Sequence, residues 1–188
     1  MSIDNIIVGL GNPGNDYQGS RHNIGFDIVS ILAKQFRSIW RLNKKFQIVY
    51  CKINYKEKNI LLIKPQVYMN ESGSCINKIC KFYKISISNQ LFVIQDDINL
   101  ELGRLKISKS GSSGGHNGVQ NIISYLGKKF IRIRIGIGKK FCQNITLSSY
   151  VLSSFQENEK KILEIKFLQF IEVLKLLIVK GITNYKCY

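Results

Sequence analysis

A short apolar run, Ile6-Ile7-Val8, opens directly onto a stretch crowded with turn residues, GLGNPGNDYQGSRHNIGF at 9–26. The run reads as a buried strand. Gly9, Gly11 and Gly14, with Pro13, force the backbone to turn sharply where that strand ends. A helical pattern then begins near Ile24. Strand, glycine-rich turn and helix in that order constrain the chain to an α/β arrangement, in which loops at strand ends are where ligands sit. His22, one of only two histidines, lies in this turn and is the candidate catalytic centre.

The rest of the chain keeps the same grammar. Ile24, Ile28, Ile31 and Leu32 recur at helical spacing and predict a helix over about 22–36. Two β-branched runs, 46–53 and 60–64, flank the turn sequence at 55–59 and read as a hairpin ended by Pro65. Asn70 is placed to cap a helix carrying Ile76, Ile79, Cys80 and Tyr83 on one face. A buried strand over 91–95 closes at Asp96-Asp97. Leu105 and Ile107 alternate with Arg104, Lys106 and Ser108. A Gly/Ser loop at 110–118 leads into a helix with Val119, Ile122, Ile123 and Leu126. In 130–138 the isoleucines at 131, 133, 135 and 137 face one way and Arg132 and Arg134 the other. Residues 139–150 read as polar and irregular, and 154–180 as one or two helices. With no repeat or long linker, residues 1–188 form one domain: α/β, a twisted mixed sheet flanked by α-helices.

Charge narrows the partner. Twenty-eight Lys and Arg against twelve Asp and Glu leave +16, which calls for an anionic partner, nucleic acid before an acidic membrane surface. A genome-wide bias toward Lys, Ile and Asn accounts for part of this excess. Five irregularly spaced cysteines fit free thiols in a reducing, cytoplasmic setting. The apolar C-terminal stretch is broken by Lys166, Glu172 and Lys175, so no membrane span is expected.

Gly9-x-Gly11-x-x-Gly14 matches the dinucleotide fingerprint literally. Pro13 offers no N–H to a pyrophosphate, however, and no acid stands where a ribose would be bound. No Walker motif is present, and no G-x-S-x-G elbow is read, the literal match at 111–115 lying within the Gly/Ser loop. What remains is a set of polar residues at the ends of apolar elements: Asn12, His22, Met69-Asn70, Asp96 and Asn117. Singly, each also reads as a turn, cap or loop residue. Together they fall where loops gather on one sheet edge. They suit water-mediated ester hydrolysis. An imidazole takes a proton from water, a carboxylate such as Asp96 fixes its tautomer, and amides such as Asn12 and Asn70 receive the carbonyl oxygen. No Ser or Cys is obviously placed as a nucleophile.

The motifs GLGNPGNDYQGSRHNIGF, KPQVYMNESG, QDDINLELGRLKISKSGSSGGHNG and RIRIGIG, in this order and spacing, resemble bacterial peptidyl-tRNA hydrolases over about 6–138. The resemblance implies a cytoplasmic, monomeric hydrolase with no metal or cofactor. Such an enzyme cleaves the ester between a peptide and the 3′ CCA end of tRNA, recycling tRNA lost from ribosomes. It implies His22 as base and Asp96 as its partner. Asn12, Asn70 and Asn117 would place peptide, water and 3′ end, with Tyr17 and Met69 lining the cleft. His116 is assigned a structural or RNA-facing part. Lys106 and Arg134 would hold the 5′ phosphate of the acceptor stem, although Ser108 stands where the family often has a lysine. For Arg132 and Arg134 a merely solvated strand face remains open. The rival readings are a non-catalytic RNA-binding or ribosome-associated module of the same fold, and a metal hydrolase using His22, His116 and Asp96.

Overall fold

The computed structural model describes residues 2–138 and 145–181. Seven strands form one sheet: β1 (Asn5–Gly9), β2 (Arg41–Asn43), β3 (Ile48–Tyr55), β4 (Lys58–Pro65), β5 (Leu91–Asp97), β6 (Leu105–Ser108) and β7 (Ile131–Gly136). Their order is β2-β3-β4-β1-β5-β7-β6. The inner four, β4, β1, β5 and β7, run parallel, and antiparallel strands close both edges. The helices are α1 (Ile24–Gln35), α2 (Ser72–Phe82), α3 (Ile87–Gln90), α4 (Asn117–Leu126), α5 (Leu147–Leu152) and α6 (Glu157–Lys180).

The period-two alternation of the strands divides the core in two. Ile7, Leu62, Phe92, Ile94, Ile131 and Ile133 pack against α1 and α6. Ile6, Val8, Leu61, Val93 and Phe130 pack against α2 and α4. Being covered on both faces is what lets the central runs 6–8, 60–63 and 91–94 be apolar on both sides.

The glycines of the first loop are explained by packing. A Cβ on Gly9 would lie 2.1 Å from the Gly25 carbonyl oxygen, and one on Gly25 would lie 2.5 Å from the Leu10 nitrogen. A Cβ on Gly11 would enter the Phe26 ring. The fingerprint-like spacing therefore serves to seat the start of α1 on the end of β1, which is the close strand–helix contact that only glycine permits.

Several boundaries differ from those expected. The first helix starts at Ile24, because Arg21–Asn23 forms a 3₁₀ turn. Asn70 does not cap α2; it sits inside the 3₁₀ turn Met69–Glu71, and the helix starts at Ser72 with no side-chain cap. The hairpin turn is tighter than 55–59, since Lys56 and Glu57 both take positive φ (49° and 62°), a two-residue turn whose twist matches the strands. Strand β2 was not anticipated, being three residues with no apolar alternation, visible only through its pairing with β3. Part of the stretch read as irregular is α5, while 139–144 lie outside the described residues. The tail is one helix, opened by a Gln156/Glu159 capping box and ended by Gly181 at φ 65°.

One carboxyl is held against its preference. Asp27, in the first turn of α1, is pushed up from 3.8 to about 6 by burial, with the Lys64 ammonium pulling it partly back. Lys64 itself lies between Phe26 and Trp40, 5.6 and 4.7 Å from the ring centres. A folded-state pKa above the unfolded one means that the carboxylate destabilises the fold once it ionises. Asp27→Asn is therefore expected to stabilise the protein by about 1–2 kcal/mol at neutral pH. The gain should open as pH rises past the unfolded value near 3.8 and level off above about 6; urea titrations across that range measure it.

Candidate active site

The parallel strands release their loops along one edge of the sheet. The ends of β1, β4 and β5 and the N-terminus of α4 there enclose a cavity of about 660 Å³. Asn12, His22, Met69, Asn70, Asp96, His116 and Asn117 all line it, as do Tyr68, Gln95 and the α5 residues Leu147, Ser148, Val151 and Leu152. Of the expected cleft residues, Tyr17 alone is not brought in. It belongs to the 3₁₀ turn Asn15–Tyr17 and is not part of the cavity wall.

Asp96, at the end of β5, is buried, and its Oδ1 meets two imidazoles: His22 Nδ1 at 2.8 Å and His116 Nε2 at 3.0 Å. The rings stand 4.8 Å apart, tilted by 37°. Burial alone would raise the acid. His116 first, and then His22, outweigh it and hold the carboxyl well below the usual carboxylate range. A carboxylate is acceptor-only, so both ring nitrogens facing it donate.

The two histidines are not equivalent. His116 Nδ1 accepts the Val119 N–H at 3.3 Å and so caps α4, while its Nε2 donates to Asp96. Both nitrogens are engaged, which leaves no basic site for catalysis. His22 uses Nδ1 on Asp96, and its Nε2 makes no hydrogen bond within the described residues. It is the only one of the two with a nitrogen left to act. The sequence reading joined His116 to Asp96 only as rival metal ligands, and their direct hydrogen bond was not expected.

A second network sets the floor. Asn12 N–H donates to Asn23 Oδ1 at 2.8 Å, and Asn23 Nδ2 donates back to the Asn12 carbonyl at 3.0 Å. Asn12 Oδ1 in turn accepts the Met69 N–H at 2.8 Å, which leaves its amide nitrogen as the donor end. Met69 is wedged against Gly118, where a Cβ would sit 2.5 Å from its sulfur. Asn23 is thus a structural partner of the site that sequence reasoning did not single out. Asn70 and Asn117 are exposed on the cavity rim.

The expected phosphate pair is adjacent: Lys106 and Arg134 are register partners on β6 and β7. Lys106 is exposed, whereas Arg134 donates from Nε to Asp97 Oδ2 at 2.5 Å. Arg132 is no solvated residue. It is 3% exposed, and its guanidinium donates to the carbonyls of Ser112, Gly111 and Lys128, tying down the loop ahead of His116.

His22, Asp96 and His116 each offer a ligand atom, all within 4.8 Å of one another. As a metal site they fit poorly. Both facing nitrogens carry protons directed at the carboxylate, and His116 is pinned on its other side by Val119. The arrangement is that of a hydrogen-bonded triad.

A family model described as peptidyl-tRNA hydrolase matches residues 6–186. The chain belongs to this family. Relatives named peptidyl-tRNA hydrolase include one from Clostridium novyi, 40% identical over 177 residues (94% of this chain, 92% of the relative). Another, from Thermodesulfovibrio yellowstonii, is 42% identical over 182 residues (95% of each). The crystal structure of the peptidyl-tRNA hydrolase of Acinetobacter baumannii superposes with a TM-score of 0.87 at 30% identity, over the full length of both chains. Among the described residues no helix is long and apolar enough to cross a membrane.

The shared carboxylate makes a sign-definite prediction. A folded-state pKa below the unfolded one contributes stability above the unfolded value and loses it as pH falls. Asn at 96 keeps an Oδ1 for both rings but no charge. Wild type should therefore exceed Asp96→Asn in stability near pH 6, and the margin should shrink as pH drops through about 4 toward 3; denaturant titrations of both proteins measure it.

Proposed function

We propose that the chain cleaves the ester between the C-terminal carbonyl of a peptide and the ribose at the 3′ end of tRNA, using a water activated by His22. The observation that carries this reading is His22 Nδ1 bonded to Asp96 at 2.8 Å with Nε2 unengaged on the cavity wall. Nε2 takes the proton of the attacking water. The imidazolium that forms faces a carboxylate already ionised and fixed, so little reorganisation accompanies charge development. The same proton is then available to the departing ribose oxygen, and the products are a free peptide acid and tRNA with an intact 3′ hydroxyl.

The amides divide the remaining work. Asn12, its oxygen fixed by Met69 N–H, presents its amide nitrogen to the peptide carbonyl or oxyanion. Asn70 and Asn117, on the rim, position water and the 3′ adenosine, and Met69 packs beside the acyl group. Amide donors read the peptide backbone and ignore side chains. An unblocked aminoacyl-tRNA would bring a charged ammonium where an N-acyl amide belongs, and burying that charge is unfavourable. Lys106 and Arg134 take acceptor-stem phosphate, in keeping with the net charge of +16 and giving a salt-dependent affinity. In this reading the enzyme acts as a monomer in the cytoplasm, needs no metal, and returns tRNA from peptidyl-tRNA released by ribosomes. Family membership supports the reaction class, and the geometry supports the assignment of roles.

Cleavage of an N-acetylated aminoacyl-tRNA tests it. His22→Ala should lower kcat by about 10²–10⁴-fold while the fold persists; near-normal turnover would remove His22 as base. Wild type should keep full activity in excess chelator and should act far more weakly on the unblocked aminoacyl-tRNA, read as kcat/KM.

A further inference from the structure

Arg21 precedes His22 in the same 3₁₀ turn, yet it does not line the cavity. It is 5% exposed. Nη1 and Nη2 form a two-pronged pair with Glu159 Oε1 and Oε2 at 2.9 and 2.7 Å. Nη1 also reaches the Ile137 carbonyl at 3.2 Å, and Nε reaches Ser153 Oγ at 3.3 Å. The guanidinium carbon lies 4.5 Å from the centre of the Tyr150 ring and 4.8 Å from that of Phe155. The backbone repeats the connection, for Arg21 N–H donates to the Ser153 carbonyl at 3.0 Å and Ser20 bridges Ser154. Tyr150 hydroxyl donates to the Ile137 carbonyl at 3.0 Å. Glu159 Oε2 additionally accepts the Gln156 N–H at 2.8 Å, which closes the first turn of α6.

One cation therefore gathers α5, the link to α6, the start of α6 and the end of β7 onto the catalytic turn. Leu147, Ser148, Val151 and Leu152 of α5 form one wall of the reaction cavity. That helix is six residues long, too short to hold its place by its own hydrogen bonds. We propose that Arg21 and Glu159 are positioning residues that hold the α5 wall at the spacing which grips the acyl-adenosine end of the substrate. This rests on the reaction proposed above.

The chemistry favours this pair for the task. A planar guanidinium can serve two carboxylate oxygens, a carbonyl and a hydroxyl at once in fixed directions, which an ammonium cannot. Burial between two aromatic rings raises the cost of leaving either charge alone. The effect on chemistry should also be separable. His22 is held by Asp96 and not by Glu159, so loosening α5 weakens grip on ground state and transition state alike, the signature of a raised KM with little change in kcat.

The experiment compares wild type, Glu159→Gln and Arg21→Lys on N-acetylated aminoacyl-tRNA, with amide hydrogen exchange on the free proteins. Glu159→Gln is expected to raise KM about 5–10-fold with kcat within about twofold and its pH profile unmoved. Exchange should speed up across 147–155 and stay unchanged across 91–97. Arg21→Lys, which keeps the charge but not the fork, should shift KM and exchange in the same direction, and it carries the test if Glu159→Gln does not fold. An unmoved KM, or a kcat loss as large as the KM gain, overturns the proposal, as does wild-type exchange across α5. Absence of cleavage by wild type itself would instead remove the reaction, leaving the exchange result to judge whether the pair holds the wall.

Discussion

A single carboxylate oxygen, Asp96 Oδ1, is the point on which the active edge converges. Buried charge is costly unless it is paired and hydrogen-bonded, and this one is answered by two imidazole N–H groups at 2.8 and 3.0 Å. Those groups arrive from unrelated parts of the chain. His22 comes from the turn before α1 and His116 from the N-cap of α4, while the acid ends β5. To satisfy one acid, three elements must take fixed positions. The same demand separates the roles of the two histidines. His116 spends both nitrogens on hydrogen bonds, and among the described residues His22 leaves Nε2 without one.

The packing that makes this convergence possible is backbone against backbone. Gly9 and Gly25 let α1 sit directly on the end of β1, which brings the turn carrying His22 within reach of β5, the neighbouring strand. On the other face, Gly73 admits the Asn121 backbone of α4 to α2, where a Cβ would meet the Asn121 oxygen at 2.4 Å. Asn121 Oδ1 then accepts the Gly73 N–H at 2.7 Å. Met69 closes the space between these helices and the first loop. Each small residue thus brings a polar group within hydrogen-bond distance of another.

Local signals made much of this legible. The apolar run into Gly9, the isoleucine spacing of α1, the hairpin and the alternation of β7 are period and turn-residue patterns that a linear reading detects. That His22, Asp96, Asn12, Asn70 and Asn117 would gather was legible because each stands at the start or end of an element, and the parallel strands bring those ends to one edge. What escaped had no local signature. The partnership of Asp96 with His116 depends on where a Gly/Ser loop folds back. Asn23 looks like a helix-start residue until Asn12 is seen opposite it. Alternation put Arg132 on a polar face correctly, but alternation cannot tell water from loop carbonyls as that face's neighbours. Tyr17 was placed in the cleft by resemblance, and its turn keeps it out of the wall.

The neighbouring arginines of β7 show how the same residue type is put to different uses at a spacing of two. Arg132 is consumed internally by the carbonyls of Gly111 and Ser112 ahead of His116 and of Lys128 beyond α4. Arg134 is anchored at Nε by Asp97, the residue next to the shared acid, and its terminal nitrogens make no hydrogen bond within the described residues. A guanidinium oriented in this way has already given up rotational freedom, so an anion meeting its remaining donors forgoes less entropy than one that must immobilise a free lysine. That offers a physical reason why a phosphate contact could survive a serine at 108. In the proposed clamp the anchored arginine would supply direction, and the exposed Lys106 beside it charge that is strong at low salt and screened at high.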